Sequence, residues 1–470
     1  MAVDAGRHIW DAEAETQEES ERRSTSSSLL RRQLSGLVER SPFYRAKLGE
    51  AGVSVESIRD VEDLAALPFT TKDELSRAQL DDPPFGDHLA VPLRDVRRVY
   101  QTSGSSGVPT LIAVSSVDIK VWKAIGARAY FAAGIRPASS VLITFGAGPY
   151  VAGHTHGMLD MMGCRTVPIA PGDTRGSLHT LELGIVDSYI GTPSFALHLA
   201  NGCERAGIDG SSLGLRTIVT AGEPGGGLSG IRGRIESVFG ARVSEVMGLG
   251  DISPSLFGEC TAQNGMHFCG QGYVWPELVD QDSGDPVEIE AGAFGELVYT
   301  SLVREAMPLV RFRSGDLARI TGTTCRCGRT AFKLRCVGRT DDMFIVKGVN
   351  VYPSAIASVA AEFHPTLTGR ARAVIPEGSG VSVQAPVIVE VETSSGASVP
   401  EQMNERVEAA IRAKLRFSAE VRFVTERVFG DPGYKTPPIL RSASAGVGNQ
   451  SDDESSRPLP TSEPTGSATS

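Results

Sequence analysis

Between roughly residues 90 and 300 the chain repeats one pattern. A short apolar run ends in glycine or a small residue, and a helical stretch follows. The runs are VLITFG (141–146), TVPIA (166–170), SYIGT (188–192), RTIVTAG (216–222) and VSEVMG (243–248). Strands alternating with helices, such as the one predicted over PSFALHLANGCERAG, imply an α/β fold. Ligands then bind at the strands' C-terminal ends. That geometry consumes glycine, and the chain has 52 in 470 residues, above the usual share of about 7%.

The flanks read differently. Residues 9–40 carry Leu29, Leu30, Leu34, Leu37 and Val38 at helical spacing, and Pro42 ends that helix after Ser41. GELVYTSL (295–302) and PLVRFRSGDLARI (308–320) read as strands joined by turns. GRTDD (338–342) reads as a linker. FIVKGVNVYP, RARAVIP, APVIVEVE, a helix over 400–415 and VRFVTE then form an α+β pattern. The expected division is a large α/β domain over 1–338, a small α+β domain over 339–440 and a tail over 441–470. The tail has eight serines and only Val447 and Leu459 as larger aliphatics. It cannot repay its ordering entropy and is expected to be disordered.

Composition excludes several classes. Net charge is −10, so no global basic field attracts nucleic acid or anionic membrane. Seven cysteines in 470 residues do not make a disulfide scaffold. The first 23 residues lack the apolar stretch of a secretory signal, and no run suits a membrane span. A soluble cytoplasmic protein is expected.

Five polar motifs stand out in order. Thr102-Ser103-Gly104-Ser105-Ser106-Gly107 lies between two apolar runs, where backbone N–H groups and hydroxyls can face phosphate oxygens. No Gly-Lys-Ser/Thr follows, so it is not a Walker loop. Gly222-Glu223-Pro224 follows a strand directly, which brings backbone near a flat ligand. Met247-Gly248-Leu249-Gly250-Asp251, Arg311-Phe312-Arg313-Ser314-Gly315-Asp316 and Gly338-Arg339-Thr340-Asp341-Asp342 complete the set, the last followed by Lys347-Gly348-Val349-Asn350.

Together with SPFYRAKL (41–48), LPFTTKDEL (67–75) and CRCGRT (325–330), these motifs resemble the adenylate-forming enzyme superfamily, in its phenylacetate–CoA ligase-like branch. The resemblance spans about residues 9–440. It implies a large adenylate-forming domain with a small mobile lid. It further implies ATP, Mg²⁺ and CoA as ligands, with a small carboxylic acid, aromatic or heteroaromatic, as substrate. The 102–107 loop would hold the phosphates. Gly222, Glu223, Pro224, Met247 and Gly248 would line the adenine site. Asp251 would help hold Mg²⁺, Asp316 would take the ribose hydroxyls and Arg339 would contact the nucleotide. Asp341 would be the hinge, Lys435 the mobile catalytic lysine, and Lys347, Gly348 and Asn350 the pantetheine contact. His154, His156 and Phe195 would border the acyl group. Three departures stand out. Val108 replaces a lysine, Met247 an aromatic residue and Asp251 a glutamate.

Cys260, His267, Cys325 and Cys327 form a C-x6-H and C-x-C pair. Four such ligands suit a structural zinc; separate reduced thiols are the alternative. Cys269 competes as a ligand, while Cys164, Cys203 and Cys336 read as core thiols. Two rival functions stay open. The adenylate could load a carrier protein or form an amide or ester directly, or the fold could be an inactive zinc-stapled homologue. The resemblance is also compatible with a homodimer.

Overall fold

The structure, a computed structural model, describes residues 9–102, 109–146, 148–429 and 439–442. Lys435, the 103–108 part of the glycine-serine loop and the tail from 443 onward lie outside the described residues.

Five strands in the expected places make a parallel half-sheet. They are β3 (Ser140–Ile143), β4 (Arg165–Pro168), β5 (Ser188–Gly191), β6 (Thr217–Thr220) and β7 (Arg242–Leu249). Ahead of them, β1 (Arg98–Gln101) and β2 (Leu111–Val114) form an antiparallel hairpin. The parallel order is β4-β3-β5-β6-β7, so the winding reverses at β3. β3 and β5 are buried throughout, as strands covered on both faces must be.

Helix Pro193–Ala206 shows how the connections are set. Thr192 accepts a bond from the Phe195 N–H at 3.2 Å, Pro193 opens the helix, and Gly207 closes it at φ 67°. Side-chain cap, proline start and left-handed glycine stop are all sequence signals.

β7 is the seam of the molecule. One edge pairs in parallel with β6, the other antiparallel with β8 (Ser253–Glu259). From there the sheet continues through β9 (Met266–Phe268), β14 (Lys333–Arg339), β13 (Phe312–Gly322), β12 (Phe294–Ser301), β10 (Val274–Val279) and β11 (Pro286–Val287). Twelve strands result, with one main apolar core running under both halves.

Two expectations change in detail. The N-terminal helix is divided into Ala12–Glu15 and Glu19–Arg40, and Leu30, Leu34 and Leu37 are buried as their spacing predicts. The strand expected from 308 starts at Phe312, because Arg311 sits at φ 44° and breaks the extended backbone.

Residues beyond 343 have their own apolar core, including Phe344, Ile356, Val389, Val407 and Ile411. A four-stranded sheet and helices Pro353–Ala361 and Met403–Leu415 surround it. Only the second helix was expected. This unit rests on the parallel half. Asn201 Nδ2 donates to the Thr368 carbonyl at 3.2 Å, and His364 Nε2 lies 2.8 Å from Glu204. Gly338 lets its Tyr352 ring close in, since a Cβ there would lie 2.1 Å from Tyr352 Cδ1. No helix among the described residues is long and apolar enough to cross a membrane.

Candidate active site

The loop after β6 carries Gly222, Glu223 and Pro224, with Gly222 at φ 92° and exposed. Glu223 accepts the Ser194 N–H at 3.0 Å, which ties this loop to the start of helix Pro193–Ala206. Behind it stands Glu245 on β7, a residue the sequence reading missed. Burial first, then neighbouring Glu259, pushes its carboxyl above the ordinary range, against bonds from Gly227 and Gly225 backbone. Glu259 is itself buried and paired with Arg232. Two residues along β7, Met247 is half-buried and Gly248 exposed.

Asp316 is buried and ion-paired to Arg339 at 2.9 Å, and Arg339 also grips Asp341 at 2.8 and 3.0 Å. The expected ribose carboxylate, nucleotide arginine and hinge aspartate therefore form one chain of charge. Glu296 sets the turn before Asp316, accepting the Gly315 N–H at 3.0 Å and the Arg313 Nε–H at 2.9 Å. Arg311 serves packing. It donates to the Ala65 and Leu67 carbonyls and covers the Phe69 ring at 4.1 Å.

Asp251 is 8% exposed, and Lys72 Nζ lies 2.5 Å from its carboxylate. Its backbone carbonyl accepts from the buried Arg304. Lys72 belongs to the motif LPFTTKDEL, yet 179 residues separate it from Asp251, and only the fold reveals the pair. Thr102 closes the hairpin base, with its N–H on the Thr110 carbonyl and its hydroxyl 3.0 Å from that of Thr110.

The acyl-side residues divide. His154 is 2% exposed, edge-on to Trp122 at 5.5 Å, and neither ring nitrogen has a partner among the described residues. Burial, then Lys123 and Arg98, pulls its pKa to about 3, so the ring is neutral. His156 Nε2 meets the Phe145 carbonyl at 3.0 Å, just past β3. Phe195 is buried in the helix-layer core and stacks on His198 at 6.1 Å.

Lys347 and Gly348 form the turn between strands Phe344–Val346 and Val349–Val351, at φ 50° and 80°. Both positive angles mark a type I′ hairpin. Lys347, Gly348 and Asn350 are exposed.

Cys260, His267, Cys325 and Cys327 converge, with all ligand atoms within 4.8 Å of one another. Cys260 Sγ lies 3.7 Å from Cys325 Sγ, and Cys327 Sγ 3.3 Å from His267 Nε2. A tetrahedron with metal–sulfur bonds of about 2.3 Å has an S···S edge of about 3.8 Å, so the donors fit a zinc-sized ion. His267 Nδ1 faces the Ala331 carbonyl at 3.2 Å. That contact leaves Nε2 for a metal. Contact with Cys260, and then with His267, pulls the Cys327 thiol well down, while the same contact pushes Cys260 up. Cys269 stands apart, donating to the His267 carbonyl. Cys203 is a core thiol, but Cys164 and Cys336 are only half-buried.

Comparison with family models gives no match. The phenylacetate–coenzyme A ligase of Thermus thermophilus is 35% identical over 354 residues, 75% of this chain and 78% of that protein. Among solved structures, 2-hydroxyisobutyryl-CoA ligase in its postadenylation state, with an acyl-AMP bound, superposes with a TM-score of 0.85. It is 28% identical, and 94% of each chain is covered. The same ligase with CoA in the thioesterification state, at the same identity and coverage, gives 0.70. The chain belongs to the phenylacetate–coenzyme A ligase family and is an acid–thiol ligase of the AMP-forming type.

Proposed function

We propose that this protein joins a small carboxylic acid to AMP and then passes the acyl group to the thiol of CoA. The observation that carries the reading is the superposition over 94% of the chain on a ligase holding an acyl-adenylate. The relatives named for phenylacetate favour an aromatic acid.

In the first half-reaction a carboxylate oxygen attacks the α-phosphorus of ATP, and pyrophosphate leaves. Negative charge builds on oxygens throughout, so the protein's task is positioning and electrostatics. The backbone after β6 and Met247-Gly248 would frame the adenine. Asp316 would accept the ribose hydroxyls. Lys435 would bring its charge from the lid. Lys72, paired with Asp251, would offer a second cation on the fixed side in place of the lysine that Val108 replaces. Mg²⁺ would be held by the Asp251 carboxylate together with phosphate oxygens, since that ion keeps few protein ligands. It supplies charge neutralisation.

In the second half-reaction the thiol sulfur attacks the acyl carbon, loses its proton, and AMP leaves. The 339–440 unit would turn about Asp341, withdrawing Lys435 and presenting Lys347, Gly348 and Asn350 to pantetheine. The higher TM-score against the postadenylation state supports an arrangement that precedes this turn. Zn²⁺ would be held by Cys260, His267, Cys325 and Cys327 as a closed structural site, with no part in either step.

Pyrophosphate release across a panel of aryl and small hydroxy acids, with and without CoA, tests the reading. An aryl acid should release pyrophosphate, and CoA should turn the adenylate into acyl-CoA. Release without any acyl-CoA in its presence would overturn the thiol-ligase step.

A further inference from the structure

The loop Gly225–Gly227 is gripped from two sides. On one side stands the Glu245 carboxyl, close against Gly227. On the other stands Arg335, whose Nη1 donates to the Gly227 carbonyl at 2.6 Å. A Cβ on Gly227 would sit 2.5 Å from Glu245 Oε2 and 3.3 Å from Arg335 Nη1. A side chain at 227 would push both groups aside.

Arg335 has a second hand. Its Nη2 donates to the Gln263 carbonyl at 3.2 Å. Gln263 lies in the turn between β8 and β9, in the left-handed region at φ 51°, with its N–H on the Cys260 carbonyl at 2.9 Å. Its side chain donates to Glu236 and to the Val243 carbonyl, each at 2.8 Å. The same hairpin carries two of the four converging ligands, Cys260 and His267. β14 pairs beside it, Lys333 opposite His267, so Arg335 projects from the strand that already holds the hairpin.

One planar guanidinium thus spans two carbonyls that belong to different tasks. A lysine could reach one carbonyl but cannot present two rigid donors in a plane. We propose that Arg335 is a positioning residue for ATP. It fixes the loop beneath the adenine by tying it to the hairpin of the Cys/His centre, so order at that centre is passed to the nucleotide site. This rests on the reading of 222–227 as the adenine side of the cleft.

The test uses the full-length enzyme loaded with Zn²⁺ and assayed by pyrophosphate release. Arg335→Met and Arg335→Lys should each raise KM for ATP about tenfold, the worth of one charge-assisted hydrogen bond. Their kcat should stay within about twofold of the parent, because no reacting group is touched. Zinc content should be unchanged, and amide exchange at residues 225–228 should quicken. Stripping Zn²⁺ with a chelator and restoring Mg²⁺ should raise KM for ATP in the parent but add nothing in Arg335→Met. An ATP KM indifferent to both Arg335 variants overturns the proposal. So does a KM indifferent to zinc, or a zinc effect of equal size in parent and variant. Asp316→Asn separates this failure from failure of the underlying reading. If Asp316→Asn leaves ATP binding intact, the cleft is not the nucleotide site and the proposal falls with it. If it weakens ATP while the Arg335 variants do not, only the tether is wrong.

Discussion

The sheet side of the cleft and the small unit that faces it are built on opposite plans. On the sheet side, the charged groups given roles are already engaged. Asp251 holds Lys72, Asp316 holds Arg339, and Glu296 holds the turn between them. In the small unit, Lys347, Gly348 and Asn350 stand exposed on a hairpin tip. A group that is already oriented costs no reorganisation when charge develops. A group exposed on a separate core must be brought to its partner by movement of that whole core. Damage to the sheet side should therefore impair both half-reactions, and damage to the small unit only one.

The largest expected break in that contrast is Lys435→Ala. Pyrophosphate release should fall about 10²–10³-fold, the usual loss for a charge aimed at a transition state. Thioester formation from a supplied acyl-adenylate should stay within about twofold. Equal loss in both assays would show that the two regions do not divide the work. Next comes Asp316→Asn, which keeps the shape and removes the charge. KM for ATP should rise at least about tenfold, because two hydrogen bonds lose their ionised acceptor. Use of supplied adenylate should weaken with it, since both ligands carry the ribose. A purely one-step effect, read by single-turnover kinetics, would place Asp316 elsewhere.

The sheet side was also the more legible half. Its strands showed as short β-rich runs ending in glycine or a small residue, and the motifs sat at their ends. The resemblance those motifs carry, to the phenylacetate–CoA ligase-like branch, is borne out by the 35% identity with the Thermus ligase. What stayed hidden were the partners. Lys72 lies 179 residues from Asp251, and Glu245 reaches the loop after β6 from a neighbouring strand. Neither has a local pattern, because side-chain contact across a sheet depends on register and strand order. Arg311 misled for a related reason. It reads as strand, yet its guanidinium is drawn to the Ala65 and Leu67 carbonyls and Glu277, and its backbone takes φ 44°. The Cys/His group was legible as spacing alone, since four soft donors in two short pairs have few other uses.

A gentler probe of the small unit is Lys347→Gly. A non-glycine residue in the left-handed region costs about 1–2 kcal/mol, so glycine should relieve part of that strain and raise the thermal midpoint slightly. If the lysine meets the pantetheine arm, thioester formation should slow about twofold to fivefold, the value of one exposed hydrogen bond, with pyrophosphate release unchanged. A more stable protein with an unaltered thioester rate would strip Lys347 of its role and leave the hairpin as shape only.

The smallest effect at neutral pH belongs to His154, and it asks which region fails in acid. Its pKa is pulled from the usual 6.5 to about 3 when folded, so the unfolded chain binds the proton first. The stability tied to the neutral ring is complete above about pH 6.5 and is lost as pH falls from there towards 3. Each pH unit in that window costs about 1.4 kcal/mol for one such group. His154→Leu removes the titration and keeps an apolar filler beside Trp122. Unfolding free energies from urea titrations at pH 7.5 and 5.5 should differ by about 1.4 kcal/mol less in the variant than in the parent. His88, buried and lowered to about 4, lies on the same side and keeps its share of acid sensitivity in both proteins. An unchanged difference would mean that acid first loosens the small unit, where burial lowers the His364 pKa against the pull of Glu204. The sheet side would then be the more acid-resistant of the two.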